Sequence, residues 1–202
     1  MKFRTIVGLL IVLIICSCIQ QPSNSGLLID NGINRGISYS DSLGTNYNIR
    51  YIPITITNDG TIPIHLQMAF SKEYDYPIAY RNQKFKVLLM PKEWATDQGT
   101  ITDNMVVELK SYIEKPLLNE TIEPGEKYLL AIGTLYPNPA KISGVLPNLL
   151  FAQSNGDNFQ SCDFLINQGK STNSKLALGL KLVFNESCMI IPCGKVSYPE
   201  HY

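Results

Sequence analysis

Apolar and polar residues alternate most regularly across YNIRYIPITITNDGTIPIHLQMAF. Ile52, Ile54 and Ile56 alternate with Tyr51, Pro53, Thr55 and Thr57. Further on, Ile62, Ile64, Leu66, Met68 and Phe70 alternate with Pro63, His65, Gln67 and Ala69. Successive side chains of a strand point to opposite faces, so each run predicts a strand with one buried face. Asn58-Asp59-Gly60 between them tolerates positive φ and is the strongest short-range hairpin signal in the chain, so the two strands are expected to pair across it. Pro53 and Pro63 each remove a ladder donor and imply an edge or bulge nearby.

Further strands are predicted over residues 84–90, 127–136, 159–166, 175–184 and 188–198. In the fourth of these, Leu176, Leu178, Leu180, Leu182 and Phe184 share a face. Glu123-Pro124-Gly125-Glu126 reads as a turn, because Pro presets φ and Gly accepts the left-handed region. One segment departs from this pattern. TDNMVVELKSYIEKP puts Met105, Val106, Leu109, Tyr112 and Ile113 on one helical face, with Thr102 or Asp103 as cap and Pro116 as stop. It predicts one short helix, about 103–114, over an open end or edge of the strands. The strand, Asn-x-Gly, strand unit and the Pro-Gly-Glu turn resemble those of extracytoplasmic immunoglobulin-like sandwiches. The expected fold is therefore mainly β: an immunoglobulin-like β-sandwich with one short helix.

Length and charge narrow the function classes. A chain of 202 residues fits one domain with a short appendage. Lys+Arg 17 against Asp+Glu 17 leaves no net field to gather nucleic acid. Charged residues make up 17% of the chain, below the roughly 25% of ordinary soluble domains. Asn, Ser, Thr, Gly, Pro and Tyr fill the difference, which suits strands and turns.

The first residues, MKFRTIVGLLIVLIICSC, carry a basic start (Lys2, Arg4), an apolar stretch from Ile6 to Ile15, and small residues near a cut. This is the layout of a secretory signal. Apolar character fades at Ser17, short of the about 20 residues that a membrane span needs. Ile15-Cys16-Ser17-Cys18 resembles the lipobox of bacterial lipoproteins. The resemblance makes Ile15 the aliphatic residue, Ser17 the small one and Cys18 the lipid attachment site. Cys16 stands where that family usually has a small or aliphatic residue, and bulky Ile15 makes it a poor acceptor. The division expected is a signal peptide over 1–17, a lipidated tether over 18–26 (ending IQQPSNSG) and a β-sandwich domain over 27–202. Cleavage removes Lys2 and Arg4 and leaves a slightly acidic chain. The resemblance implies a membrane-anchored, extracytoplasmic protein of the cell envelope or periplasm.

Candidate chemistry is sparse. Of two histidines, His65 lies on the polar side of a strand and His201 is next to last in the chain, so neither suits a Ser-His-Asp arrangement. No G-x-S-x-G, P-loop or dinucleotide glycine pattern occurs. Tyr74, Tyr76 and Tyr80 fall in KEYDYPIAYRNQ, which reads as a long loop, with Trp94 further on. These rings either stack on a sugar or anchor a protein partner, or they pack the loop onto the sheet. They form the candidate binding loop. Cys162, Cys188 and Cys193 remain after processing, and oxidising surroundings permit one disulfide whose pairing is open. An extended Cys188–Cys193 stretch separates its ends by about 16 Å, beyond bridging range without a turn. Cys188, Cys193 and His201, with Cys162 as a further candidate, have metal-ligand types without the short spacings of zinc sites, so no metal or other cofactor is expected. The reading is a lipid-anchored binding or scaffolding protein whose partner is an envelope protein or a glycan. The alternative is a carbohydrate-active hydrolase using two converged carboxylates.

Overall fold

The structure is a computed structural model and describes residues 26–76, 83–96, 109, 112–113, 117–138, 144–154, 159, 162 and 175–199. It is mainly β and holds two antiparallel sheets. The strands are β1 (Leu27–Asn31), β2 (Arg35–Ser40), β3 (Asn46–Asn58), β4 (Ile64–Ala69), β5 (Tyr74–Asp75) and β6 (Lys84–Met90). They continue with β7 (Leu117–Ile122), β8 (Lys127–Pro137), β9 (Leu146–Gln153), β10 (Lys175–Phe184) and β11 (Ser187–Ser197). The six-stranded sheet runs β1-β3-β8-β6-β5, with β2 also on β3; the five-stranded sheet runs β7-β4-β11-β10-β9.

The two alternating runs are strands as predicted, but they do not pair with each other. β3 lies between β1/β2 and β8 in one sheet, whereas β4 lies between β7 and β11 in the other. Ile52, Ile54 and Ile56 instead meet Ile64, Leu66 and Met68 in a core shared by the two sheets. Asn58-Asp59-Gly60 is thus a corner between sheets. Period two fixes that a strand has a buried face. It does not fix whether the neighbour lies beside that strand or across the core from it.

Asn58 builds the corner. The residue is fully buried, and its amide Nδ2 donates to Ile62 O and to Ile122 O, both at 2.8 Å. Its Oδ1 accepts from Gly60 N at 3.0 Å. Its backbone N–H donates to Glu126 O at 3.0 Å, and its carbonyl accepts from Gly125 N at 2.7 Å. Gly125 takes φ 77 in the expected turn, which carries the chain from β7 to β8 and so also crosses between sheets. Both crossings are fastened to one another through Asn58.

Pro53 marks a break in pairing. β1 pairs β3 from Ile54 onward and β2 pairs it up to Tyr51, while Gly32 N donates to Pro53 O between them at 2.8 Å. The missing proline N–H falls where the neighbouring strand is interrupted. Pro192 has a matching place. β4 pairs β11 only over Gly194–Ser197, so beyond Gly194 that side of β11 has no strand partner among the described residues.

A second apolar cluster lies on the outer face of the six-stranded sheet: Ile49, Tyr51, Leu88, Met90, Trp94, Leu109, Ala131 and Leu135. Leu109, Tyr112 and Ile113 are helical and pack there. The described part of the expected helix therefore covers a sheet face, not an open end or edge. The rest of 103–114, with Thr102, Met105, Val106 and Pro116, lies outside the described residues. So does most of the strand expected at 159–166. Its two described residues, Phe159 and Cys162, are not strand; among the described residues the strand before β10 is β9, at Leu146–Gln153.

Candidate binding surface

Of the rings chosen from sequence, those described do not form one surface. Tyr74 lies on β5, stacks on Phe85 at 5.5 Å and accepts a hydrogen bond from Ser71 N at 2.9 Å through its hydroxyl. Tyr76 is buried and meets Phe85 edge-on at 5.5 Å, and burial pushes its phenol up to about 12. Both pack on the core between the sheets. Trp94 ends a short 3-10 helix (Lys92–Trp94), is buried, and lies edge-on to Tyr51 at 5.3 Å in the outer cluster. Tyr80 lies outside the described residues. The described rings sit on opposite faces of one sheet, where they pack it on both sides.

The cysteines divide by face. Cys162 is bridged to Cys188, with Cα atoms 6.2 Å apart. On β11, Cys188 pairs with Val183 on the outward side, and Lys181 Nζ donates to Cys162 O at 3.1 Å. Cys193 is a buried free thiol on the inner side. Pairing with β10 slips here: Leu178 opposes Gly194 and Gly179 opposes Pro192, so Cys193 is the extra residue of a bulge directed into the core. Burial pushes its thiol pKa far up. A thiol so placed is a small core side chain with little thiolate to react.

His65 is half-buried on β4, with Nδ1 3.0 Å from Thr121 Oγ1; His201 lies outside the described residues. Among the described residues, no three His, Cys, Asp or Glu side chains gather as metal ligands. No described helix is long and apolar enough to cross a membrane. Two adjoining grooves of ≈390 and ≈370 Å³ open where β4 leaves β11. Gln67, Asn119, Met68, Leu117, Pro192 and Lys195 are among their lining residues, which are amides, apolar groups and one cation. Such a lining can hold a ligand by contact and hydrogen bonding but offers no acid-base pair.

The largest polar departure from the strand pattern lies at the other end of β3. Even-numbered β3 residues face the second sheet: Ile52, Ile54 and Ile56 are core, whereas Asn46, Asn48 and Arg50 on the same side are exposed or half-buried. Opposite them on β2 stand Ser40, Ser38 and Gly36. The β2–β3 ribbon thus extends beyond the second sheet and exposes its inner face. Its outer face carries Tyr39 and Tyr47, ring centroids 6.0 Å apart. Asp41 shapes the tip: Oδ1 accepts from Leu43 N and Thr45 N at 2.9 and 2.8 Å, and Oδ2 accepts from the Tyr47 hydroxyl at 3.3 Å. Burial, and then the Asp41 carboxylate, raise the Tyr47 phenol pKa. Sequence reasoning missed this surface. Its signal is the change from Ile to Arg and Asn at alternate positions of NYNIRYIPITITN.

Comparison with protein-family models, curated proteins and solved structures found no match for the chain.

Proposed function

We propose that this chain is a lipid-anchored binding or scaffolding protein held outside the cytoplasm, with an immunoglobulin-like β-sandwich as its rigid body. The observation that carries the reading is Ile15-Cys16-Ser17-Cys18 behind a basic start and a short apolar run. The fold supports it through its polarity. Gly26 lies at the Asn58 corner, where Asp59 N donates to Gly26 O at 2.8 Å. A tether from Cys18 therefore joins the domain at that end. The β2–β3 tip lies at the far end of β3, about 40 Å away by strand rise. Two antiparallel sheets around a shared core, with the chain crossing between them at β3–β4 and β7–β8, support the sandwich reading.

The test is metabolic labelling with a palmitate analogue, together with intact mass of the mature N-terminus. Wild type is expected to start at an acylated Cys18. Cys18→Ser is expected to carry no label and to keep its signal segment. An unlabelled wild type, or a Cys18→Ser protein processed and labelled as before, defeats the anchor reading.

A further inference from the structure

The inner face of the β2–β3 ribbon, centred on Arg50, carries a chemistry that neither core nor corner uses. Arg50 is exposed and stands opposite Gly36. A Cβ on Gly36 would lie 2.5 Å from Arg50 Nη1 and 2.8 Å from its Cδ and Cζ, so the arginine side chain lies flat over the glycine. Among the described residues no carboxylate pairs with it; the described ion pair is Lys84 with Glu73. Next along the ribbon come the half-buried Asn48 opposite the exposed Ser38, then Asn46 opposite Ser40, whose hydroxyl donates to Asn46 Oδ1 at 2.6 Å. One guanidinium is followed by two rungs of amide and hydroxyl. These positions include no acid and no exposed apolar side chain.

The geometry points to a binding site for an anionic saccharide chain on this face, with Arg50 taking a carboxylate or phosphate oxygen and Asn48, Ser38 and Asn46 meeting neighbouring hydroxyls. A guanidinium presents paired N–H groups that match the two oxygens of such an anion. Protein partners are gripped through desolvated aromatic or aliphatic anchors, and the rungs offer none. A polyhydroxylated anion needs only what the face has. Gly36 is part of the site because its missing side chain lets Arg50 lie along the sheet. That the site faces away from the anchoring membrane rests on the lipid-anchor reading. The binding itself does not, so the two fail separately.

The experiment uses the full chain in neutral detergent, measured by affinity electrophoresis in gels containing polygalacturonate, neutral dextran or polyglutamate. Polygalacturonate is expected to retard wild type and dextran to leave it unaffected. Arg50→Gln and Gly36→Ala are each expected to weaken the polygalacturonate interaction by about tenfold, the worth of one charge-assisted hydrogen bond. Asn48→Ala weakens it less. Lys175→Gln, exposed on β10 of the other sheet, leaves it unchanged, and thermal melts establish that each variant is folded. No retardation of wild type by polygalacturonate overturns the proposal, as does wild-type binding by folded Arg50→Gln. Equal retardation by polyglutamate overturns the saccharide assignment, since charge alone would then be read.

Discussion

Replacing Asn58 by Ala removes three side-chain hydrogen bonds: to Ile62 O and Ile122 O, and from Gly60 N. The backbone bonds of Asn58 to Glu126 and Gly125 remain available. Each intramolecular bond contributes about 1 kcal/mol net, and a buried carbonyl left without a donor costs about 1–3 kcal/mol. Asn58→Ala is therefore expected to lose about 3 kcal/mol, which in a domain of this size lowers Tm by about 6–12 °C. Asn58→Asp keeps the acceptor for Gly60 N but turns an oxygen toward two carbonyl oxygens in a buried site. Its carboxyl should hold its proton in the folded state, with a pKa above the ordinary value of about 3.9. The unfolded chain then ionises first, so stability relative to wild type falls as pH rises through about 4 and is partly restored below it. Reversible urea unfolding at acidic and neutral pH, with exposed Asn119→Ala as control, measures this. If Asn58→Ala stays within about 0.5 kcal/mol of wild type, as surface changes do, the corner does not depend on Asn58 and the argument is wrong. An Asn58→Asp protein whose relative stability ignores pH refutes the electrostatic part.

Two further outcomes follow from β11. Gly194 has φ 148, and a Cβ there would press on the Gln67 carbonyl oxygen and lie 2.9 Å from Met68 Cα. Gly194→Ala should cost about 3 kcal/mol by forcing β4 from β11, whereas Gly44→Ala, with φ 79 and open space, should cost about 1 kcal/mol in urea melts. Equal costs would mean that φ alone matters at Gly194. Cys193 should resist iodoacetamide in native protein between pH 7 and 9 and react after denaturation, read by mass. Above the ordinary thiol pKa of about 8.5 the unfolded chain loses the Cys193 proton while the folded chain keeps it, so stability falls as pH rises. Rapid native labelling would show that the bulge does not close over the thiol.

Much of the strand content was legible because alternation is a local property. Ile52, Ile54 and Ile56, and likewise Leu176 to Phe184, announce buried faces whatever lies opposite. The short edge strands were not legible. Leu117–Ile122 is an edge strand with one paired side and largely exposed residues, so burial imposes little pattern on it, and Arg35–Ser40 sets Ile37 and Tyr39 against Gly36, Ser38 and Ser40, too few apolar positions to stand out. For the described rings of the candidate loop, the packing alternative holds, and sequence left it open for a related reason. A tyrosine in a polar stretch reads the same whether it faces solvent or a sheet, and Tyr74, Tyr76 and Trp94 find sheet faces. The β10–β11 turn runs through Asn185-Glu186 with Asn185 at φ 48, while the stronger Asn-Asp-Gly signal turned out to be a corner.

By itself, then, the sequence determined that the chain is built of strands, where most of the long ones lie, which faces they bury, and that its start resembles a lipoprotein signal. Those properties depend on residues a few positions apart. Only the tertiary structure decided which strand lies beside which, because strands with the same buried face can pair in one sheet or oppose one another across a core. Asn58 fastens the arrangement so chosen, since its amide joins the β3–β4 and β7–β8 crossings across 64 residues of chain. The choice also set where the second sheet ends, and so left Arg50 exposed two residues from buried Ile52.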